Sequence, residues 1–296
     1  MPIRRAMELI DRAKAGGYAV GYFESWNLES LQGIIDAAEE TRSPVLIGFN
    51  GKFMSRKRRL TRENLQWYAA LGSAAAESAR VPCGLIFNEC SDDEWVRNAI
   101  DAGFSQVMLD DPRATADVFL RRVTALTSYA HSKGVAVEAE VGHLPRGSGG
   151  FIDQKESQLT DPEEAARFIQ YTGIDILSVS VGNVHVLLEG EQPLKLDYLA
   201  AICKQVNIPI DLHGGTGIPG DCLHKAIRRG VAKVCFGTYV KQRYLDAIRK
   251  VLAIDELNPH KRLGYGGNED LLVAGRLAVK EAVMERIGFL GCCGRA

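Results

Sequence analysis

The chain has 296 residues, 46% of them hydrophobic, enough to bury one large core. Its 36 basic and 37 acidic side chains give a net charge of -1, so there is no electrostatic argument for nucleic acid or for an anionic membrane as a partner. Seven cysteines, an odd number without C-x-x-C spacing, argue against a disulfide framework or a structural zinc knot and read as free thiols.

The opening stretch MPIRRAMELIDRAKAGG has a charged amphipathic helix pattern without a secretory h-region. No apolar run approaches the ~20 residues needed to span a bilayer. A cytoplasmic protein is expected.

From there, short β-branched runs alternate with longer amphipathic segments, which predicts a parallel sheet with crossover helices. Strands are expected at Ala19 to Glu24, Pro44 to Asn50, Cys83 to Glu89, Gln106 to Asp110, Val135 to Gly142, Ile176 to Gly182, Ile208 to Gly215 and Val231 to Thr238. Helical patterns such as LESLQGIIDAAEET and DPEEAARFIQYTG lie between them, several starting at Asp, Thr or Asn and closing at Gly. Eight strands with intervening helices suit a closed (β/α)8 TIM barrel, and an open doubly wound sheet is the alternative.

The segment GFNGKFMSRKRRLTREN reads as a solvated loop, and no Pro/Ser/Gly-rich linker divides the chain. A single domain over 1–296 is expected. It would end in a helical extension, about 239–296, that can cap the barrel or pack on a partner subunit in a homodimer or homotetramer.

In a parallel barrel the chemistry collects at the carboxyl ends of the strands. Polar residues expected there are Glu24, Asn50, Asn88, Glu89, Asp110, Glu140, His185, His213 and Thr238. Two of only six histidines placed together with several carboxylates suit a divalent metal, since imidazole and carboxylate are ordinary ligands of zinc or manganese. The glycine-rich turn in IDLHGGTGIPGDC and the turn in VAKVCFGTYV place backbone N–H groups where an anion can sit.

The runs NLESLQGIIDAAEETRSPVLI, AIDAGFSQVMLD, VEAEVG, TGIDILSVSVGNVH, NIPIDLHGGTGI and GCCGRA, in that order, resemble the class II ketose-bisphosphate aldolases, especially the tagatose-bisphosphate branch. The similarity covers residues 5 to 296. It implies a zinc site, with manganese or cobalt as alternatives, whose three histidine positions fall on Glu89, His185 and His213. Glu89 thus replaces a ligand, and Asn88 replaces the proton-shuttling aspartate of an H-L-D-H motif read here as Ile86-Phe87-Asn88-Glu89.

The resemblance also matches Asp110 and Glu140 to carboxylates that hold the metal in an alternative position. Gly214, Gly215, Thr216, Gly217 and Thr238 match the phosphate-binding turns, and Gly237 joins Thr238 in the second of the turns expected to hold the anion. The mobile loop of the family corresponds to GHLPRGSGG, with His143, Arg146 and Ser148. Cys235 and Glu24 stand where asparagines are usual, Val186 follows His185 in place of glycine, and Lys280 falls near a basic residue that in related dimers reaches a second phosphate.

An amide cannot act as a general base near neutral pH. Glu140, Glu24 and His143 are therefore the candidate proton carriers, with Asn88 a hydrogen-bonding partner of the substrate. Cys235 and Arg146 join the turns as candidate substrate contacts. The expected function is metal-dependent C–C cleavage of a ketose-like, phosphorylated sugar substrate, by an enzyme not specific for fructose bisphosphate. A metal-dependent epimerase or isomerase and a non-catalytic ligand-binding relative are the alternatives.

Overall fold

The computed structural model describes residues 5–145, 147–148, 151–152 and 158–296. Eight parallel strands form a closed barrel: β1 (Val20–Glu24), β2 (Val45–Asn50), β3 (Cys83–Cys90), β4 (Gln106–Leu109), β5 (Ala136–Val141), β8 (Ile176–Val179), β9 (Ile210–Leu212) and β10 (Val231–Phe236). They are joined side by side in that order, and β10 pairs back onto β1 with Val20 opposite Lys233. Between β5 and β8 lies a small antiparallel pair, β6 (Gly147–Ser148) and β7 (Phe151–Ile152).

Every residue of β1, β2, β4 and β10 is buried, the pattern of strands covered on both faces. Helices α1 (Ala6–Gly16), α2 (Leu28–Thr41), α3 (Gly51–Met54), α4 (Leu65–Ser78), α5 (Asp93–Asp101) and α6 (Ala116–Ser132) accompany the first half of the barrel. The second half carries α7 (Pro162–Thr172), α8 (Leu196–Gln205), α9 (Gly220–Ile227), α10 (Thr238–Leu252), α11 (Pro259–Arg262) and α12 (Leu271–Gly288). The starts are written in local chemistry. Asn27 accepts from the Ser30 N–H and Ser30 Oγ accepts from the Asn27 N–H, a reciprocal cap for α2.

The fold expected from the sequence is the one found, with adjustments at element ends; the sixth barrel strand stops at Val179 and the eighth at Phe236, with Thr238 opening α10. The seventh barrel strand ends at Leu212 because the chain turns at Gly214, whose φ of 70° opens the 3-10 turn Gly215–Gly217. A side chain at 214 would also collide with the carbonyl of Val184. Within the stretch expected to be a solvated loop, Gly51–Met54 forms α3, capped by Asn50, and the run Arg56 to Arg62 after it is exposed, Leu60 included.

The C-terminal extension packs on its own barrel, where α12 lies against α2, α10 and β1. Gly33 permits that approach, since a side chain there would run into the backbone of Arg276. Among the described residues, no helix is long and apolar enough to cross a membrane.

Candidate active site and metal centre

The carboxyl ends of the strands converge on a cavity of about 280 Å³ lined by Tyr22, Glu24, Asn50, Asn88, Glu89, His185, His213, Cys235, by Gly214 and Thr216 of one turn and by Gly237 and Thr238 of the next. At its floor, Glu89, His185 and His213 bring ligand atoms together. His213 Nδ1 lies 2.7 Å from Glu89 Oε1, and His185 Nε2 lies 3.8 Å from the same oxygen.

Glu89 reaches this point by a backbone contortion. Its φ is 47°, a left-handed value rare for a residue with a side chain, at a place where the register of β3 against β4 slips. Val186, next to His185, has φ 54°. Of the three described non-glycine residues with positive φ, two thus flank the centre. Strain of this sort persists where surrounding structure enforces it, commonly at functional sites.

The electrostatics fit a divalent ion. Burial would raise the Glu89 carboxyl, but His185, His213 and the Asn50 amide, which donates to Oε2 at 2.7 Å, hold it well below the usual range. Burial lowers His185, which favours the neutral imidazole that can offer a lone pair. His213 Nε2 faces Glu138 Oε1 at 3.0 Å and Asp211 Oδ2 at 3.1 Å. A carboxylate behind a ligating imidazole orients the ring and raises its basicity. Desolvation opposes protonation of His213, yet contacts to Cys235, Asp211 and Glu138 outweigh it and push the ring well up. So raised, His213 holds a proton that an ion at Nδ1 would have to displace; by donor type, the three residues match a His2Glu set with outer carboxylates behind it.

Below this centre the barrel interior is ionic. Lys233, fully buried, donates to Glu138 Oε2 at 2.5 Å and Asp211 Oδ2 at 3.1 Å, and Gln106 Nε2 donates to Glu138 at 2.6 Å. Neither Lys233 nor the two carboxylates were singled out from the sequence. Each sits two residues before a residue that was: Glu138 before Glu140, Asp211 before His213, Lys233 before Cys235. Alternation along a strand puts such pairs on one face, and that parity was the available signal.

The remaining candidates divide. Asn88 is 2% exposed and its Oδ1 has no protein partner; the same is true of the hydroxyl of Tyr22, another residue not singled out. Cys235 Sγ lies 3.1 Å from Asp211, and burial pushes its thiol up to about 12, so it stays protonated. Glu24 is 7% exposed and ion-paired with Lys241 of α10, so its carboxylate is already engaged.

Asp110, Glu140 and His143 line a second cavity of about 280 Å³ and do not join the ligand group. Asp110 is held by Lys52 at 3.1 Å. Glu140 feels the charges of His213, Asp110 and Glu89, and desolvation, the largest influence, raises it to about 8. The His143 backbone bridges to Gln158. Arg146 lies outside the described residues. Lys280 is ion-paired with Glu40 on α2, within its own chain.

An eight-stranded barrel whose carboxyl-end loops gather two imidazoles and a carboxylate over an ionic core has the layout of a TIM-barrel enzyme site. Comparison with known proteins gives the particular family. The family described as "Fructose-bisphosphate aldolase class-II" matches residues 4–295. A fructose-bisphosphate aldolase of Thermus caldophilus is 32% identical, with 98% of each chain covered. One of Geobacillus stearothermophilus is 32% identical over 98% of this chain and 97% of its own. Among solved structures, the YdjI aldolase of Escherichia coli K12 superposes with a TM-score of 0.81 at 28% identity, both chains fully covered. The chain belongs to the class II fructose-bisphosphate aldolase family, and its class of activity is that of an aldolase-type lyase.

Proposed function

We propose that the protein, as one barrel domain, is a metal-dependent aldolase-type lyase for a ketose-like sugar phosphate other than fructose bisphosphate, with proton carriers unlike those usual in its family. The observation that carries the proposal is the meeting of Glu89, His185 and His213 at the floor of a cavity whose neighbouring residue is an amide, Asn88. Glu89, His185 and His213 would hold the ion, zinc by donor type, with manganese or cobalt as alternatives. Bound there, a divalent ion supplies Lewis-acid stabilisation of the negative charge that grows on the substrate as the C–C bond breaks.

The protein's own groups supply the rest. Asn88 offers an amide that can donate to a substrate hydroxyl and accept through its unpartnered Oδ1, but it moves no proton. Glu140, raised to about 8, has the proton affinity a general acid–base group requires, and it would have to serve from the second cavity that it lines with Asp110 and His143. Gly214, Gly215, Thr216, Gly217, Gly237 and Thr238 form the corner proposed for the phosphate. Thr216 Oγ1 accepts from the Tyr239 N–H at 3.1 Å, fastening one turn to the start of α10.

The test is product analysis with a panel of phosphorylated ketoses and the metal-loaded protein. Two carbonyl fragments support the reading. Turnover to an isomer of unchanged carbon count favours an epimerase instead, and a protein that binds metal and ligand without turnover is a binding relative.

A further inference from the structure

Lys241 and Glu24 lie at the corner proposed for the substrate's phosphate. Lys241 extends from α10, one turn beyond Thr238, with its ammonium 4.5 Å from the ring centre of Phe53 and 5.7 Å from that of Trp26. Its ion-pair partner is Glu24 Oε1, while the other oxygen of Glu24 packs so closely on Gly237 that any side chain there would strike it. A carboxylate thus stands against the turn, and the cation beside it is occupied by that carboxylate. Both residues line the cavity that holds the unpartnered Asn88 Oδ1 and Tyr22 hydroxyl, two buried polar atoms left for a ligand.

We infer that Lys241 is a ligand of the substrate's phosphate and that Glu24 is a built-in competitor for it, so that this pair sets which anions the site accepts. An incoming phosphate meets the turn N–H groups and the Lys241 ammonium, both favourable. It also meets the Glu24 charge, which is unfavourable and holds the same ammonium. A like charge across a half-buried contact weakens the hold on any phosphate, so the pair selects against anions, such as inorganic phosphate, that bring no further contacts to the site. Glu24 on this view determines specificity and carries no proton for the reaction. The inference rests on the proposed anion corner and is independent of whether cleavage or isomerisation follows.

Calorimetric titration of inorganic phosphate into the full-length, zinc-loaded protein tests it. Glu24→Gln should tighten phosphate binding about tenfold and Lys241→Met should weaken it about tenfold, as expected for gain or loss of one partly desolvated charge contact. The double variant should not bind more tightly than wild type, because the gain in Glu24→Gln depends on a released Lys241. Lys241→Gln, which keeps a polar chain, guards against misfolding, and thermal melts of all variants accompany the titrations. Affinities that agree within about twofold across the set overturn the role of the pair while leaving the anion corner standing. No phosphate binding by any protein, Glu24→Gln included, overturns the corner as well.

Discussion

His213 Nδ1 lies 2.7 Å from Glu89 Oε1, and it is the left-handed backbone at Glu89, φ 47°, that delivers the carboxylate there. One side of the imidazole thus faces a ligand partner, and its other nitrogen faces two carboxylates fixed to Lys233. Metal retention should depend on both sides. His213→Ala should abolish zinc retention after gel filtration, and Glu138→Gln should lower zinc affinity by about 10–100-fold, the usual size for a supporting partner of a ligand. Metal analysis and chelator competition give the answer; a His213→Ala protein that still binds zinc as wild type does defeats the assignment.

Position 88 decides how the proton moves. The wild-type protein should be poor on fructose and tagatose bisphosphate, and Asn88→Asp should not rescue either, although a well-placed general base is worth ~10²–10⁴-fold. A second carboxylate at a 2% exposed position next to Glu89 would be repelled and driven toward its neutral form. The same change should lower activity on the native substrate. Steady-state rates on both bisphosphates settle it, and a high wild-type rate would falsify the reading of Asn88.

Glu140 gives a pH signature. Its carboxyl is raised to about 8 in the folded protein from an ordinary 4.5, so between those values the native state holds the proton that the unfolded chain releases. Stability from this group is full below about pH 4.5 and is lost as pH rises through about 8. In metal-free protein, Tm should therefore fall from about pH 5 to about pH 9 more steeply in wild type than in Glu140→Gln. Parallel melting curves for the two proteins would show that Glu140 titrates normally.

The buried ion cluster should be sensitive to single changes. Lys233→Met leaves Glu138 and Asp211 facing each other without their cation, and such a loss costs about 3–5 kcal/mol. Denaturant unfolding measures it. A cost below about 1 kcal/mol, the scale of an exposed pair, would mean that water or rearrangement replaces the lysine.

The fold was legible because β-branched runs bounded by caps and glycines repeat eight times; polar residues near strand ends pointed to His185 and His213, whereas Glu89 as a candidate ligand came from the resemblance alone. The ionic floor was not. A lysine inside VAKVCF reads as an interruption of an apolar strand, and only closure of the sheet shows that it meets carboxylates from β5 and β9. The pairing of Glu24 was equally hidden, since Lys241 lies 217 positions away. Spacing along a strand reports which face a residue shares, whereas its partner across the barrel depends on how eight registers add up.

The junction of β1 with β10 has a kinetic consequence. It joins the first and last strands of the ring, so the entropy of closing the longest loop in the barrel must be met before those ladder bonds form. Loop entropy thus predicts that the complete ring forms late in folding. The packing of α12 on α2 and α10 spans this seam, together with backbone bonds from Gly294 and Ala296 to Thr41 and Arg42. Interactions made after the rate-limiting step leave refolding speed nearly untouched and slow the reverse process. The helical extension thus acts as a clasp on the lifetime of the closed barrel.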